Sequence, residues 1–214
     1  MRHFRLSVVL AISLLALSLA SGCSSAKKKH EPILSIFKGK KIALVEVEGE
    51  ATPRSVVEVA LVNELIKRGT FELINKREVE AARVRFDQDP TDWRGIAKRA
   101  GAEVAMRASV LKFSADENQG YSSVKEFDDQ LAAERGKDEG ETERLYKVRS
   151  MKGEVSVNLE FTDLATGESR DGDAHAEETV QADAKSEAIH LPPKLRFLEQ
   201  LAQKAFERFF EENE

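Results

Sequence analysis

The only cysteine of the chain, Cys23, directly follows an apolar N-terminal segment. Arg2 and Arg5 give a positive start, and the stretch from Leu6 to Ala20 is uncharged and mostly apolar. A membrane-spanning helix needs about 20 apolar residues, whereas the apolar core of a cleavable export signal is shorter. We therefore expect a signal peptide over residues 1–22. Because no second cysteine is available for a disulfide, the exported chain must be held together by its core alone.

Small residues stand immediately before this cysteine. Ala20, Ser21 and Gly22 let a peptidase approach the backbone, and Cys23 comes next. This arrangement resembles the lipobox of bacterial lipoproteins. The resemblance implies cleavage between Gly22 and Cys23 and acylation of Cys23, which then becomes the mature N-terminus. An ordinary signal peptide and a buried cysteine are the alternatives.

The chain that follows the signal is acidic. The whole sequence has 33 basic and 38 acidic residues, and the signal contains two of the basic ones, so the mature net charge is −7. Nucleic acid and anionic lipid both need basic surfaces, so we expect no nucleic-acid partner and membrane attachment through the lipid on Cys23. Ser24 stands where lipoproteins of the inner membrane tend to have aspartate. The resemblance therefore implies the outer membrane, on its inner leaflet facing the periplasm.

We expect residues 23–39 to form a polar tether, with Lys27, Lys28 and Lys29 near its start. About fifteen residues span at most ~50 Å when fully extended. We therefore expect the folded part, residues 40–214, to stay near its membrane as a single domain.

Apolar residues at period 2 and period 3.6 predict alternating strands and helices in this domain. Thr52 as N-cap, Pro53 and a C-cap at Gly69 delimit the first helix. The predicted strands are 40–48, 71–74, 104–113, 146–163 and 168–179, and the predicted helices are 52–68, 76–86, 93–99 and 193–210. This order favours an α/β fold, with a mixed β-sheet packed by helices in a two-layer or three-layer sandwich.

The composition changes between Ala115 and Arg144, where ten residues are acidic and four are basic. Val124, Phe127 and Leu131 fall at helical spacing, and Ser123 can cap a helix start. We expect a charged insertion over 115–144 that contains a short surface helix.

Four short motifs occur in an order that resembles the curli-assembly lipoprotein family. They are residues 41–45, 63–79, 100–104 and 155–168. Related domains occur in the curli secretion channel, in flagellar outer-membrane lipoproteins and in the lipoprotein that activates a penicillin-binding protein. The resemblance covers roughly residues 40–180, and it implies a non-enzymatic envelope domain of this fold class.

A secretion channel is the alternative that the same resemblance offers. The curli channel builds its pore from extra hairpins and from a constriction loop after the first strand, but here residues 49–52 are too few for that loop. A membrane-inserted hairpin needs segments of about 10 residues with an uncharged outward face. Because residues 115–144 are so densely charged, we expect no channel.

Little in the sequence favours catalysis or metal binding. His30, His175 and His190 are far apart, and no His-x-x-x-His or cysteine cluster could ligate zinc. Asp171 to Asp173 matches only half of a calcium loop. Phosphate-binding glycine loops and Gly-x-Ser-x-Gly elbows are absent from the sequence. We therefore expect no metal, no cofactor and no enzymatic activity.

Two segments are candidates for protein binding. The first is the charged insertion, which is either a solvated mobile loop or a docking element for a basic partner; its candidate residues are Tyr121, Phe127, Asp128 and Asp129. The second is the terminal helix, which either packs on the sheet or offers apolar surface to a partner or a second copy; its residues are Phe197, Phe206, Phe209 and Phe210. The sequence thus predicts a non-enzymatic, lipid-anchored envelope protein acting as a docking or assembly accessory. A homo-oligomeric, ring-forming export component and an enzyme with an unrecognised site are the alternatives.

Overall fold

A five-stranded mixed β-sheet organises the chain. The computed structural model describes residues 32–84, 92–127, 141–183 and 190–214. The strands are Lys41–Glu48 (β1), Glu72–Leu73 (β2), Val104–Phe127 (β3), Glu141–Asp163 (β4) and Ser169–Asp183 (β5). The helices are Ala51–Arg68 (α1), Lys76–Val84 (α2), Trp93–Arg99 (α3) and Lys194–Asn213 (α4).

The strand order across the sheet is β2-β1-β3-β4-β5. β1 runs parallel to β2 and β3, whereas β4 is antiparallel to β3 and β5. Within the described residues, α1 and α4 pack on one face, and α2 and α3 pack on the other face beside β1 and β3. The predicted α/β class, with a mixed sheet packed by helices, is therefore confirmed.

α1 and α4 form the main core with alternate residues of the strands. The opposite face carries a smaller core, in which Val79 of α2 and Ile96 of α3 pack on Ala43 and Ala105. No helix of the described residues packs on the outward face of β4 and β5, which is polar. This division follows from strand alternation, which sends successive side chains to opposite faces.

The terminal helix α4 packs against the sheet along its apolar stripe. Its four phenylalanines are all buried: Phe197, Phe206, Phe209 and Phe210. The interpretation of this helix as a core element is confirmed, and these rings offer no apolar surface to a partner. The close approach of α4 to the sheet depends on Gly153 of β4. A Cβ atom at this position would lie 2.5 Å from Cε1 of Phe197 and 2.7 Å from Cδ1 of Leu201.

The ends of α1 agree only in part with the sequence. Gly69 is the C-cap as predicted, with φ of 62° and its N–H donating to the Leu65 carbonyl. The prediction of Thr52 as N-cap is wrong, because the helix begins at Ala51 and Glu50 is the N-cap residue. Pro53 still lies in the first turn, where a missing N–H costs nothing.

The compact unit starts at Pro32, earlier than the predicted boundary at residue 40. Ile33, Leu34 and Phe37 are buried in the main core, and the N–H of Leu34 donates to the Asn213 carbonyl at 3.0 Å. Residues 32–39, which the sequence assigns to the tether, therefore belong to the compact unit. The signal peptide, Gly22 and Cys23 lie outside the described residues.

Asp163 closes the turn between β4 and β5 and contacts the beginning of the fold. Its carboxylate pairs with Lys40 and accepts hydrogen bonds from the backbone N–H groups of Thr166 (3.1 Å) and Ala165 (2.8 Å). The Lys40 hydrogen bond first, and then the backbone donors, lower the pKa of Asp163 to about 2. Because this pKa lies below its ordinary value, the carboxylate stabilises the fold above about pH 4, and that stabilisation is lost as the pH falls towards 2.

Replacing Asp163 with asparagine should lower the free energy of unfolding by about 2 kcal/mol at pH 7, with the deficit fading towards pH 2. Asn keeps an acceptor for the two backbone donors and removes only the charge. Urea unfolding at pH 7, 4 and 2 measures the difference. Glu72→Gln is the control, because Glu72 is exposed and pairs with Lys41 at 3.4 Å, so it should show almost no change at any pH. An Asp163→Asn deficit of equal size at pH 7 and pH 2 would contradict the assignment.

Candidate functional site

A two-stranded extension of the sheet is the candidate site. β3 pairs with β4 from Val104 to Phe127, whereas β5 reaches along β4 only as far as the pair Val148 and Asp183. Among the described residues, 121–127 and 141–147 therefore pair only with each other. We refer to these two segments as the ribbon.

The ribbon replaces the surface helix expected in the charged insertion. That prediction is wrong for residues 124–127, which belong to β3, while Leu131 lies outside the described residues. Val124 and Phe127 fit helical spacing, but here each residue of β3 pairs in register with β4 instead. The local spacing carried no information on this partner strand, which comes later in the chain.

Among the ribbon side chains that the structure describes, Tyr121 and Leu145 are apolar and exposed, with 75% and 71% of their surfaces accessible. Tyr121 stands opposite Lys147, and Ser123 stands opposite Leu145. Tyr121 and Leu145 are thus diagonal neighbours on one face, close enough for large side chains to touch. Two strands alone are marginally stable in water, so a partner that covers this pair would stabilise the ribbon.

Charged side chains fix the base of the ribbon to the domain. The guanidinium of Arg149 donates to Oε2 of Glu117 at 2.9 Å, and Nζ of Lys194 lies 4.0 Å from Oε1 of the same carboxylate. Lys194 is the first residue of α4. These contacts join β3, β4 and the helix where the ribbon leaves the domain.

Two of the four residues predicted for partner binding belong to β3. Tyr121 lies in the ribbon, and Phe127 is the last residue of the strand, six positions further along. Asp128 and Asp129 lie outside the described residues. Sequence reasoning missed Leu145, because it started the strand at residue 146 rather than at Glu141.

A second apolar surface lies between α1 and β2. Val59 and Ile66 of α1 are exposed, and with Leu73 of β2 they line a groove of about 590 Å³. The sequence predicted α1 but not this outward apolar row.

A smaller cavity of about 290 Å³ beside β1 is lined by charged residues that already have partners. Arg83 donates to the Val45 carbonyl at 2.6 Å, and Lys76 pairs with Glu58. These contacts indicate a structural role for the charges.

No group of three or more His, Cys, Asp or Glu within the described residues could hold a metal ion. The half calcium loop belongs to strand β5. Gly172 packs closely against Ile33 and Phe209, and Asp173 accepts a hydrogen bond from Asn158 at 2.8 Å. In the part of the chain that the structure describes, no helix is both long and apolar enough to cross a bilayer.

No protein-family model and no curated protein matches the chain. Among solved structures, it is similar to the LpoB C-terminal domain from Salmonella enterica, with 14% identity, a TM-score of 0.37 and coverage of 66% of this chain and 84% of that one. It is also similar to lipoprotein GNA1162 from Neisseria meningitidis, with 10% identity, a TM-score of 0.38 and coverage of 64% and 79%. It is similar as well to a PelC dodecamer from Paraburkholderia phytofirmans, with 13% identity, a TM-score of 0.32 and coverage of 80% of this chain and 87% of that one. The predicted resemblance to envelope lipoproteins agrees in part with these likenesses.

Proposed function

We propose that this protein is a non-enzymatic accessory of the bacterial cell envelope that docks a protein partner through its ribbon. The observation that carries the proposal is the exposed apolar pair, Tyr121 and Leu145, on a section of sheet that no other described strand or helix covers. Exposed aromatic side chains beside polar neighbours are typical of protein contacts, where tyrosine contributes much of the binding free energy.

The envelope location follows from the N-terminal sequence. In this proposal the signal is cleaved after Gly22, Cys23 is acylated, and the protein is held on the inner leaflet of the outer membrane, facing the periplasm. The partner then belongs to cell-wall synthesis, to the flagellum or to a secretion-related assembly.

Charge defines the chemistry of the partner. Between residues 126 and 143 the sequence has eight acidic and two basic residues, including Asp128 and Asp129 directly after β3. A partner with a basic surface around an apolar recess fits both the acidic charges and the pair of Tyr121 and Leu145. Such charges accelerate association more than they increase affinity.

Photo-crosslinking in cells tests the docking role. Benzoylphenylalanine in place of Tyr121 should yield an adduct with one distinct protein, because this position faces the partner. Benzoylphenylalanine in place of Leu111, which is also exposed but lies on the body of the domain, should yield little of that adduct. Mass spectrometry identifies the attached protein.

Adding Asp128→Lys and Asp129→Lys to the position-121 variant should reduce the yield of the adduct, because the acidic charges attract the partner. Equal adducts from positions 121 and 111, or an adduct that the two lysines leave unchanged, would contradict docking through the ribbon. An adduct with a second copy alone would point to self-assembly instead.

A further inference from the structure

The chain enters the fold at one end of the domain, which we term the anchor pole. There Leu34 bonds to Asn213, the last residue of α4, and Lys40 pairs with Asp163, the last residue of β4. β1 and β3 also begin at this end, where Ile42 pairs with Val104. The anchor pole is therefore fixed by contacts from both termini of the described chain and from three strands.

The opposite end of the body is marked by Glu117. α4 has 20 residues and is about 30 Å long at 1.5 Å per residue. Its last residue, Asn213, lies at the anchor pole, and its first residue, Lys194, lies 4.0 Å from Glu117. Gly153, which packs under Phe197, and Gly172, which packs under Phe209, show that the helix follows the strands between these ends.

The strands continue beyond this end of the body. β3 runs ten further residues from Glu117 to Phe127, which adds up to about 33 Å at ~3.3 Å per residue. The far end of the ribbon thus lies up to about 60 Å from the anchor pole.

The link between Cys23 and Pro32 is short. Eight residues separate Cys23 from Pro32, and this link spans at most about 30 Å when fully extended. This link is shorter than the distance from the anchor pole to the end of the ribbon.

The charges of the two ends differ in sign. Residues 24–31 contain Lys27, Lys28 and Lys29 against one acidic residue, whereas residues 126–143 have a net charge of −6. An anionic leaflet attracts basic segments beside a lipid anchor and repels acidic ones. The short link keeps the anchor pole near the bilayer, and the charges favour an upright domain.

We infer that the ribbon points away from the membrane and meets its partner on the far side of the domain. This inference rests on the lipid attachment in the proposed function. It identifies the partner as a protein that stands off the bilayer, rather than one that lies at the membrane surface. The β-ribbon, not a long tether, provides the reach.

Energy transfer from the protein to labelled lipid tests this orientation. The full-length lipidated protein is reconstituted in vesicles of phosphatidylethanolamine and phosphatidylglycerol that carry an acceptor dye on the lipid headgroup. A donor dye is attached at Ser35→Cys, beside the anchor pole, or at Ser122→Cys, in the ribbon. Both serines are exposed, and the lipid on Cys23 leaves the introduced cysteine as the only free thiol. Transfer should be strong from Ser35→Cys and several-fold weaker from Ser122→Cys.

Equally strong transfer from both positions would overturn the orientation while leaving the lipid anchor and the docking role intact. Failure of the protein to float with the vesicles would instead refute the anchor, and the orientation with it. Replacing Lys27, Lys28 and Lys29 with glutamine in the Ser122→Cys protein gives a further readout. Transfer should rise in that variant because the basic segment helps to hold the domain upright, and unchanged transfer would contradict the role of the charges in the orientation.

Discussion

Replacing Phe161 with alanine is expected to lower the free energy of unfolding by about 3–5 kcal/mol. The Phe161 ring is fully buried between two other rings, with centroids 5.8 Å from Phe37 and 6.4 Å from Phe209. These three rings join the N-terminal segment, β4 and α4. Removing the central ring deletes its buried apolar surface and leaves a cavity that three separate elements would have to fill. Urea unfolding followed by the fluorescence of Trp93, the only tryptophan, measures the loss.

Leu111→Ala is the matched control for this experiment. Leu111 lies at the irregularity of β3 beside Val110, and 61% of its surface is exposed. Its truncation should change the free energy of unfolding by less than about 0.5 kcal/mol. If Phe161→Ala cost no more than Leu111→Ala, the three rings would not form the core that the fold requires.

The regular elements could be predicted because their signals are local. The apolar positions of α4 recur at helical spacing, and its buried stripe includes Leu201 and Phe206 as expected. The alternation of Val155, Val157 and Leu159 likewise predicted a strand with one buried face, and all three are fully buried. In both cases the period of the pattern decides which face meets the core.

The start of the fold could not be placed from local patterns. Residues 32–38 follow a polar, basic segment and are too few for a periodic signal. Their burial depends on side chains that come more than a hundred positions later, such as Phe161 and Phe209, against which Phe37 and Ile33 pack. The apolar content of this segment was the available signal, but it does not by itself identify the surface that covers it.

The ribbon shows the same difficulty for a candidate site. Tyr121 was identified because an exposed aromatic residue in a charged segment is unusual, and the structure does place it in solvent. Its diagonal neighbour Leu145 lies 24 residues later, and only the strand register brings the two together. Register is a tertiary property, so the sequence predicted one residue of the pair without the other.

Replacing Cys23 with serine is expected to abolish lipid attachment and to move the mature protein from the membrane fraction to the soluble one. Each buried CH₂ of an acyl chain contributes about 0.8 kcal/mol to membrane binding, so the loss of the acyl chains removes nearly all of the attachment. Lys27, Lys28 and Lys29, at about 1 kcal/mol each near an anionic leaflet, are too weak to replace the lipid. Cell fractionation at low and at high salt measures the shift, and Ser24→Ala, which leaves the cysteine in place, should stay with the membrane.

Metabolic labelling with a fatty acid separates this result from a failure of signal cleavage. An uncleaved Cys23→Ser protein could stay in the membrane through residues 6–20, but it would carry no label and would be heavier than the mature chain. The native protein and Ser24→Ala should both be labelled. Label on the Cys23→Ser protein, or membrane retention of a cleaved and unlabelled chain, would show that something other than this thioether-linked lipid holds the domain at the envelope.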